Sequence, residues 1–317
     1  VIQGVFTVAE KLFGLSFFEV KNIDTWHEDV KTYEVKNKRN ELVSIFYADY
    51  HPREGKNNGA WANSLKSQKV KNGKNERPHV INVCNFTKPT DLLPSLLTFK
   101  EVTTLFHEFG HGLHSILSNT TYPSLSGTNV YWDFVELPSQ IMENWCYEKE
   151  CLEIFARHYE TNESIPIEFI KKIKESSSFM KGMTTVNMVG ACLIDMAWHA
   201  VDPTSITSVK ENESIATKET RLFPYIDNNC ISVSLHHIFP SNYSSGLYSY
   251  QWAQLLDADA FEYFKEKGIF NSVIGKLFQD TILSKGGTEN PMTLYKRFRG
   301  REPRIEALLI RDGLLKN

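Results

Sequence analysis

No Cys-x-x-Cys pair occurs in this 317-residue chain, and its five cysteines, Cys84, Cys146, Cys151, Cys192 and Cys230, are scattered and odd in number. That usage argues against a disulfide framework and favours a reducing compartment, so a cytoplasmic location is expected. No apolar run is long enough to cross a bilayer, and no membrane association is expected. The stretch from Val1 to Val20 is apolar, but Glu10 and Lys11 interrupt it, which reads as an amphipathic helix and not as a signal peptide. The chain also lacks an initial Met, so a targeting signal cannot be read. An excess of charge of one sign is missing too. Lys and Arg number 35 against 38 Asp and Glu, a net charge of −3 that gives no general case for nucleic acid as a partner. Internal repeats and low-complexity tracts are absent, which excludes solenoids and arrays.

What is there is enough chain for a sizeable core. Residues 5–14 read as a helix. Val30 to Val35 and Leu42 to Tyr50 read as a hairpin, with Lys36-Asn37-Lys38-Arg39-Asn40 as its turn. Residues 51–78 read as loop. Their Lys66, Lys69, Lys71, Lys74 and Arg77 have no interleaved aromatics and read as a solvated face. Residues 79–86 read as a strand. From about residue 98 the pattern is helical, with helices expected near 99–118, 132–149, 151–160, 167–200, 246–267, 270–284 and 303–312, the last stopped by Gly313. The expectation is a mainly α fold with a small β-sheet, in which a β-rich region over 30–90 precedes a helical body over 98–317.

Within that body stands His107-Glu108-Phe109-Gly110-His111. Two histidines four apart share one helix face, about 6 Å apart along the axis, and both can reach one Zn2+. Glu108 adjoins the first ligand, where it can act on a water at the metal. A catalytic zinc needs a third protein ligand. Three after His111 is His114 and six after it is Leu117, which excludes the H-E-x-x-H-x-x-G-x-x-H class. His114 lies near the same face, but three turns of one straight helix wrap a tetrahedral ion poorly, so it reads as a packing or supporting histidine. Glu136, 25 residues after His111, is the better candidate. The interval leaves room for the helix to end, a loop through Gly127, and an antiparallel return. Spacing alone leaves open that Glu136 is an ordinary surface carboxylate.

These stretches, Phe106 to His114, Ser126 to Asn129 and Asp133 to Gln140, resemble the zinc-site segments of the thimet oligopeptidase family of metallopeptidases, which includes bacterial oligopeptidase A and peptidyl-dipeptidase. The resemblance extends through Trp26 to Val35, Gly59-Ala60-Trp61, Asn82 to Pro89 and Phe298 to Pro303. It implies a zincin-like catalytic domain, one Zn2+ per chain held by His107, His111 and Glu136, and Glu108 as general base. It also implies that His237, Tyr243 and Tyr250 face the scissile carbonyl. Read without the family, Tyr243 and Tyr250, seven apart, are an ordinary helix-face pair. Where the family carries a glycine-rich turn, this chain has Pro240-Ser241-Asn242, and Leu247 replaces a common Tyr. The proline fixes φ and removes a donor.

The resemblance further implies short peptides as substrates. Leu193 to His199 looks more like the peptidyl-dipeptidases, which release C-terminal dipeptides. Trp132-Asp133 and Asn144-Trp145-Cys146 lean toward oligopeptidase A, which cuts internally. Release of dipeptides is the expectation, internal cleavage the alternative, and an inactive peptide-binding fragment a further one. Family members are much longer, and the resemblance covers their C-terminal portion. A largely helical N-terminal half is then the expected partner, the unit is expected to be monomeric, and the first helix is expected to leave an apolar face uncovered. Asp257 and Asp259 read as helix-surface carboxylates or partners of buried donors, with a second metal as the alternative; Arg299 and Arg301 read as structural ion pairs, with a substrate carboxylate as the alternative partner; and Glu143, seven after Glu136, reads as a support on the same face.

Overall fold

The computed structural model describes residues 1–224, 226, 229–241 and 243–316. Helix α1 (Ile2–Phe13) ends at Gly14, whose φ of 68° is the left-handed conformation that stops a helix. The chain then enters β1 (Ser16–Val20), β2 (Lys31–Lys36) and β3 (Leu42–Asp49). As expected, β2 and β3 form an antiparallel hairpin, with Thr32 opposite Tyr47 and Glu34 opposite Ile45. The segment read as loop is instead partly strand: β4 (Trp61–Lys66), β5 (Lys69–Lys71) and β6 (Lys74–Glu76) precede β7 (His79–Val83). The five-stranded sheet runs β1-β2-β3-β7-β4, with β3 and β7 parallel. Strand β4 is an edge strand carrying Asn63, Ser64 and Lys66, so it lacks the apolar alternation that sequence reading relies on; its pairing with β7 makes it a strand.

The helical body begins with α2 (Phe99–Ile116), opened by a capping box. The Thr98 hydroxyl accepts from the Glu101 amide, and the Glu101 carboxylate accepts from the Thr98 amide at 2.7 Å. Val102, Leu105, Phe106, Phe109, Leu113 and Ile116 recur at helical spacing and are buried, each worth about 1.5–3 kcal/mol. Then follow α3 (Trp132–Val135), α4 (Leu137–Trp145), α5 (Lys149–Phe155), α6 (Ile167–Ser178), α7 (Lys181–His199), α8 (Val209–Ala216), α9 (Ser249–Lys267), α10 (Ser272–Phe278), α11 (Pro291–Arg299) and α12 (Glu306–Arg311). Two long expected helices are divided. The 132–149 helix breaks at Glu136, just before Pro138, which cannot donate to a continuous ladder. The 167–200 helix breaks at Phe179 and Met180, the latter with φ 53°. Helices α8 and α11 were not anticipated, although α11 carries its own signals: an Asn290 cap, Pro291 in the first turn and left-handed Gly300 at the end.

The layers stack in the order sheet, α2, α4, α9 and α12. One core, from Val5 on α1 to Phe298 on α11, runs through them. The apolar face of α1 is not left uncovered: Val5, Val8, Ala9 and Leu12 are buried. Gly4 abuts Phe155, and Gly275 abuts the Leu12 carbonyl, so α5 and α10 close over the helix. Three cations of the basic segment are paired. Arg77 donates to the carbonyls of Ile116 and Ser118 at the end of α2, and Lys66 and Lys69 lie beside Glu76. A separate cluster of Ile194, Ile238 and Leu247 sits under α7 and residues 231–250. No helix among the described residues is long and apolar enough to cross a membrane.

Candidate metal centre and its phenolic face

The centre is built where α2 and α4 approach closely. A Cβ on Gly110 would lie 2.2 Å from the Pro138 carbonyl oxygen, so only glycine permits this approach. Asn82 on β7 donates to the Glu108 carbonyl at 2.7 Å and ties the helix to the sheet. Across the contact, Glu136 occupies the break between α3 and α4. Its carboxylate Oε2 stands 3.3 Å from His107 Nε2 and 3.2 Å from His111 Nε2. One ligand atom from each of these three residues lies within 4.8 Å of the others.

This donor set fits a divalent metal ion. Ligands at about 2.0–2.1 Å in tetrahedral geometry sit about 3.3 Å apart, which matches both Glu136 distances. His107 Nδ1 is 2.7 Å from Glu143 Oε1; a proton held there leaves Nε2 with its lone pair toward the centre. Ser139 donates to Glu136 Oε2 at 2.8 Å and holds the carboxylate in place. Glu108, Glu136 and Glu143 surround two imidazoles, an excess of negative charge that suits a cation. Burial pushes the Glu108 carboxyl above its ordinary range, opposed by His107 and His111. Its carboxylate accepts no hydrogen bond among the described residues, which leaves it available to a water. Burial would also raise Glu136, but the charge of His111 and hydrogen bonds with His107 and His111 outweigh it and hold the group well below the usual carboxylate range. His114 is not part of the set. It is fully buried, and burial and then the neighbouring His111 push it down to about 3, a neutral packing residue.

Opposite the imidazoles stands an aromatic group. Tyr243 and Tyr250 stack at 5.3 Å between ring centres, and the exposed His237 ring lies 5.8 Å from the first and 5.9 Å from the second. Tyr243 donates to Glu136 Oε1 at 2.6 Å and packs on Trp132, which joins the two halves of the site. Burial, then the charge of Glu136, raises both phenols above their ordinary value and keeps them protonated donors near neutral pH. Gln140 donates to the Tyr250 carbonyl, a second tie to α4. Leu247, the departure from Tyr, is buried with Ile194 and Ile238, so it serves packing. Pro240 and Ser241 are exposed, and Ser241 donates to the His237 carbonyl; Asn242 lies outside the described residues.

The other charged residues singled out from sequence lie in ion-pair networks. Asp257 is buried and accepts from Asn144 at 2.8 Å and from Arg311. Asp259 accepts from Tyr295 at 2.7 Å and from both terminal nitrogens of Arg301, and Arg299 is beside it. Sequence reasoning missed Ser139, Asn82 and the role of Gly110. The glycine inside the His-x-x-x-His turn was the one available signal, because a helix-interior glycine costs about 1 kcal/mol unless close packing requires it.

A helix with two histidine donors, packed against a helix break that bears a carboxylate, is the arrangement of an H-E-x-x-H metal site. The profile of peptidase family M3 matches residues 1–314, and the chain belongs to that family. It is 40% identical to oligopeptidase A of Haemophilus influenzae over 318 residues, which is 99% of this chain and 47% of that protein. It is 38% identical to dipeptidyl carboxypeptidase of Salmonella typhimurium, covering 98% of this chain and 46% of that protein. With the organellar oligopeptidase A of Arabidopsis thaliana it shares 37% identity, over 99% of this chain and 41% of that protein. The chain thus spans about half the length of the curated relatives it matches.

Proposed function

We propose that this chain carries the active centre of a zinc peptidase that hydrolyses short peptides. The observation that carries the reading is the convergence of His107 Nε2, His111 Nε2 and a Glu136 oxygen beside the buried Glu108. Zinc, held by His107, His111 and Glu136, would supply a Lewis acid that polarises a carbonyl and acidifies water. Glu108 takes a proton from the attacking water and returns it to the leaving amine. Tyr243 and Tyr250 donate to the carbonyl oxygen as it gains negative charge, and His237 helps hold the peptide backbone. The Tyr243 hydroxyl, which donates to Glu136, turns to the oxyanion in this scheme. Glu143 and Ser139 keep the ligands oriented.

Glu108→Gln tests the reading directly. It should retain one zinc per chain while turnover of a quenched fluorescent peptide falls by about 10³-fold, within the range of a lost general base. Normal activity of the Glu108→Gln enzyme overturns the assignment; a zinc-free wild-type protein overturns the metal.

For the products, release of C-terminal dipeptides is the reading carried over from Leu193 to His199. Internal cleavage is the second reading, favoured by the 40% identity to an oligopeptidase A. In the fold, Ile194 and Asp195 of that segment are buried, so these two serve structure, not specificity. Mass spectrometry of products from N-acetylated peptides separates the two, since only the first mode shortens every peptide by successive dipeptides. The partner that would complete a substrate channel is a further, largely helical segment of the same protein, in a monomer. The five free thiols suit a reducing compartment such as the cytoplasm.

A further inference from the structure

The turn between Tyr243 and Tyr250 is held from a distance. Ser245 has φ 59°, a left-handed conformation that a residue with a side chain adopts only when its surroundings enforce it. Two of the turn's amides leave the local backbone for one carboxylate on α7. Ser245 N donates to Asp195 Oδ1 at 2.9 Å, and Leu247 N donates to Asp195 Oδ2 at 3.0 Å. Asp195 is 1% exposed, so these are charge-assisted bonds, buried at Leu247 and part-buried at Ser245. A third partner, His199 Nδ1, lies 2.9 Å from Oδ1, one helical turn along α7. Beneath the turn, Leu247 packs with Ile194 and Ile238, the former next to Asp195 in the chain.

We propose that Asp195 is a positioning residue for the peptidase reaction: its carboxylate clamps the Ser245 and Leu247 amides and thereby sets Tyr243 against Glu136 and Tyr250. This rests on the reading that the two phenols serve the oxyanion. Asp195 itself touches neither phenol. It acts through the backbone between them, and a misplacement of about 1 Å in such a donor costs roughly 10²-fold in rate. An isolated structural carboxylate would instead stabilise α7 and leave the phenols to their own contacts.

The test uses the full-length protein and Asp195→Asn, which offers one carbonyl where two amides need acceptors and faces the other amide with a donor. Two readouts are combined. Hydrogen exchange at the Ser245 and Leu247 amides should accelerate at least about tenfold, while the His107–Ile116 amides keep their protection. The kcat should fall by about 10²-fold with KM and zinc content unchanged. In a Tyr243→Phe background the same substitution should cost less than about threefold, because the group it positions is already gone. Unchanged exchange overturns the clamp. An undiminished 10²-fold loss in the Tyr243→Phe background overturns the link to that phenol. Full activity of Tyr243→Phe alone defeats the oxyanion reading instead, and the exchange measurement still judges the clamp. If Asp195→Asn does not fold, Asp195→Glu, which keeps the charge but shifts the carboxylate by one methylene, is read in the same two ways.

Discussion

The imidazoles and the phenols of this site stand on unequal foundations. Helix α2, which carries His107 and His111, buries twelve of its eighteen residues, and its apolar face is part of the main core. Helix α7, on which the Tyr243 turn rests, buries three of nineteen, Gly190, Ile194 and Asp195. The ligand side is fixed by packing on both flanks: the sheet through Asn82, and α4 through Gly110. The phenol side is fixed by three buried apolar residues and one carboxylate. Tyr250 belongs to both, since it opens α9 and its carbonyl accepts from Gln140. Both sides need a held geometry, the metal ligands for affinity and the oxyanion donors of the proposed mechanism for rate. The contrast predicts that damage to the first side lowers stability and metal affinity, and that damage to the second lowers rate first.

The largest effect is expected from Gly110→Ala. Its added Cβ meets the Pro138 carbonyl and the Ser139 Cα, both backbone, so α2 and α4 must separate. Overpacking of this kind costs about 1–3 kcal/mol or more, and the ligand set opens with it. Thermal melting and zinc content should both fall, and activity should be lost. Retention of zinc at wild-type affinity would show that the helix contact does not set the centre.

A matched pair of truncations sharpens the comparison. Leu105 and Ile238 are both fully buried, the first in the main core and the second in the small cluster. Leu105→Ala should lower global stability by about 2–5 kcal/mol with kcat intact below the melting point. Ile238→Ala should lower kcat at least tenfold, while the main unfolding transition moves less than for Leu105→Ala. Equal shifts of the main transition would mean that the two clusters unfold as one, and the contrast would be gone.

Glu143→Gln comes next. It keeps the shape beside His107 but removes the charge that orients the imidazole. Loss of such a supporting group lowers metal affinity about 10–100-fold. Competition with a chelator measures this, and the exchange rates of the Tyr243 turn should not respond. If they do, the two sides communicate through Glu136 and the Tyr243 hydroxyl.

Much of this was legible in the sequence because it is local. The helix expected over 99–118 and its His-Glu-x-x-His turn are set by residues close in sequence, and both appear in α2. Glu136 was legible as a spacing, although its place at a helix break came from Pro138. The rest depends on pairings distant in the chain. Strand β4 is polar and exists because β7 pairs with it, α1 is covered by α5 and α10, and Asp195 meets amides fifty and fifty-two residues away. No periodicity in α7 marks Asp195 as a clamp, and the resemblance of Leu193 to His199 to the peptidyl-dipeptidases speaks to specificity, not to a clamp. His237, Tyr243 and Tyr250 were visible only through the family, since their proximity arises from the fold of residues 231–250.

The smallest effect on catalysis is expected in the sheet, where Asp49 ties β3 to the segment after it. Its carboxylate accepts from Arg53 at 2.7 and 2.9 Å, from Lys56 at 2.9 Å and from Trp26 at 3.0 Å. Burial alone would raise this carboxyl, but Arg53, Lys56 and Trp26 outweigh it and hold it down to about 2. A carboxylate with a depressed folded pKa contributes stability above its unfolded value of about 3.9 and loses that contribution as pH falls toward the folded value. Asp49→Asn should therefore be less stable than the wild type at neutral pH, by an amount constant above about pH 5. The gap should narrow between about pH 4 and pH 2, as the wild-type group takes up its proton. Denaturant melts across that range measure it. Because the network belongs wholly to the main-core side, kcat at neutral pH and moderate temperature should stay at the wild-type value. A fall in kcat without a fall in stability would place the sheet under the phenols as well, and would erase the division between the two sides.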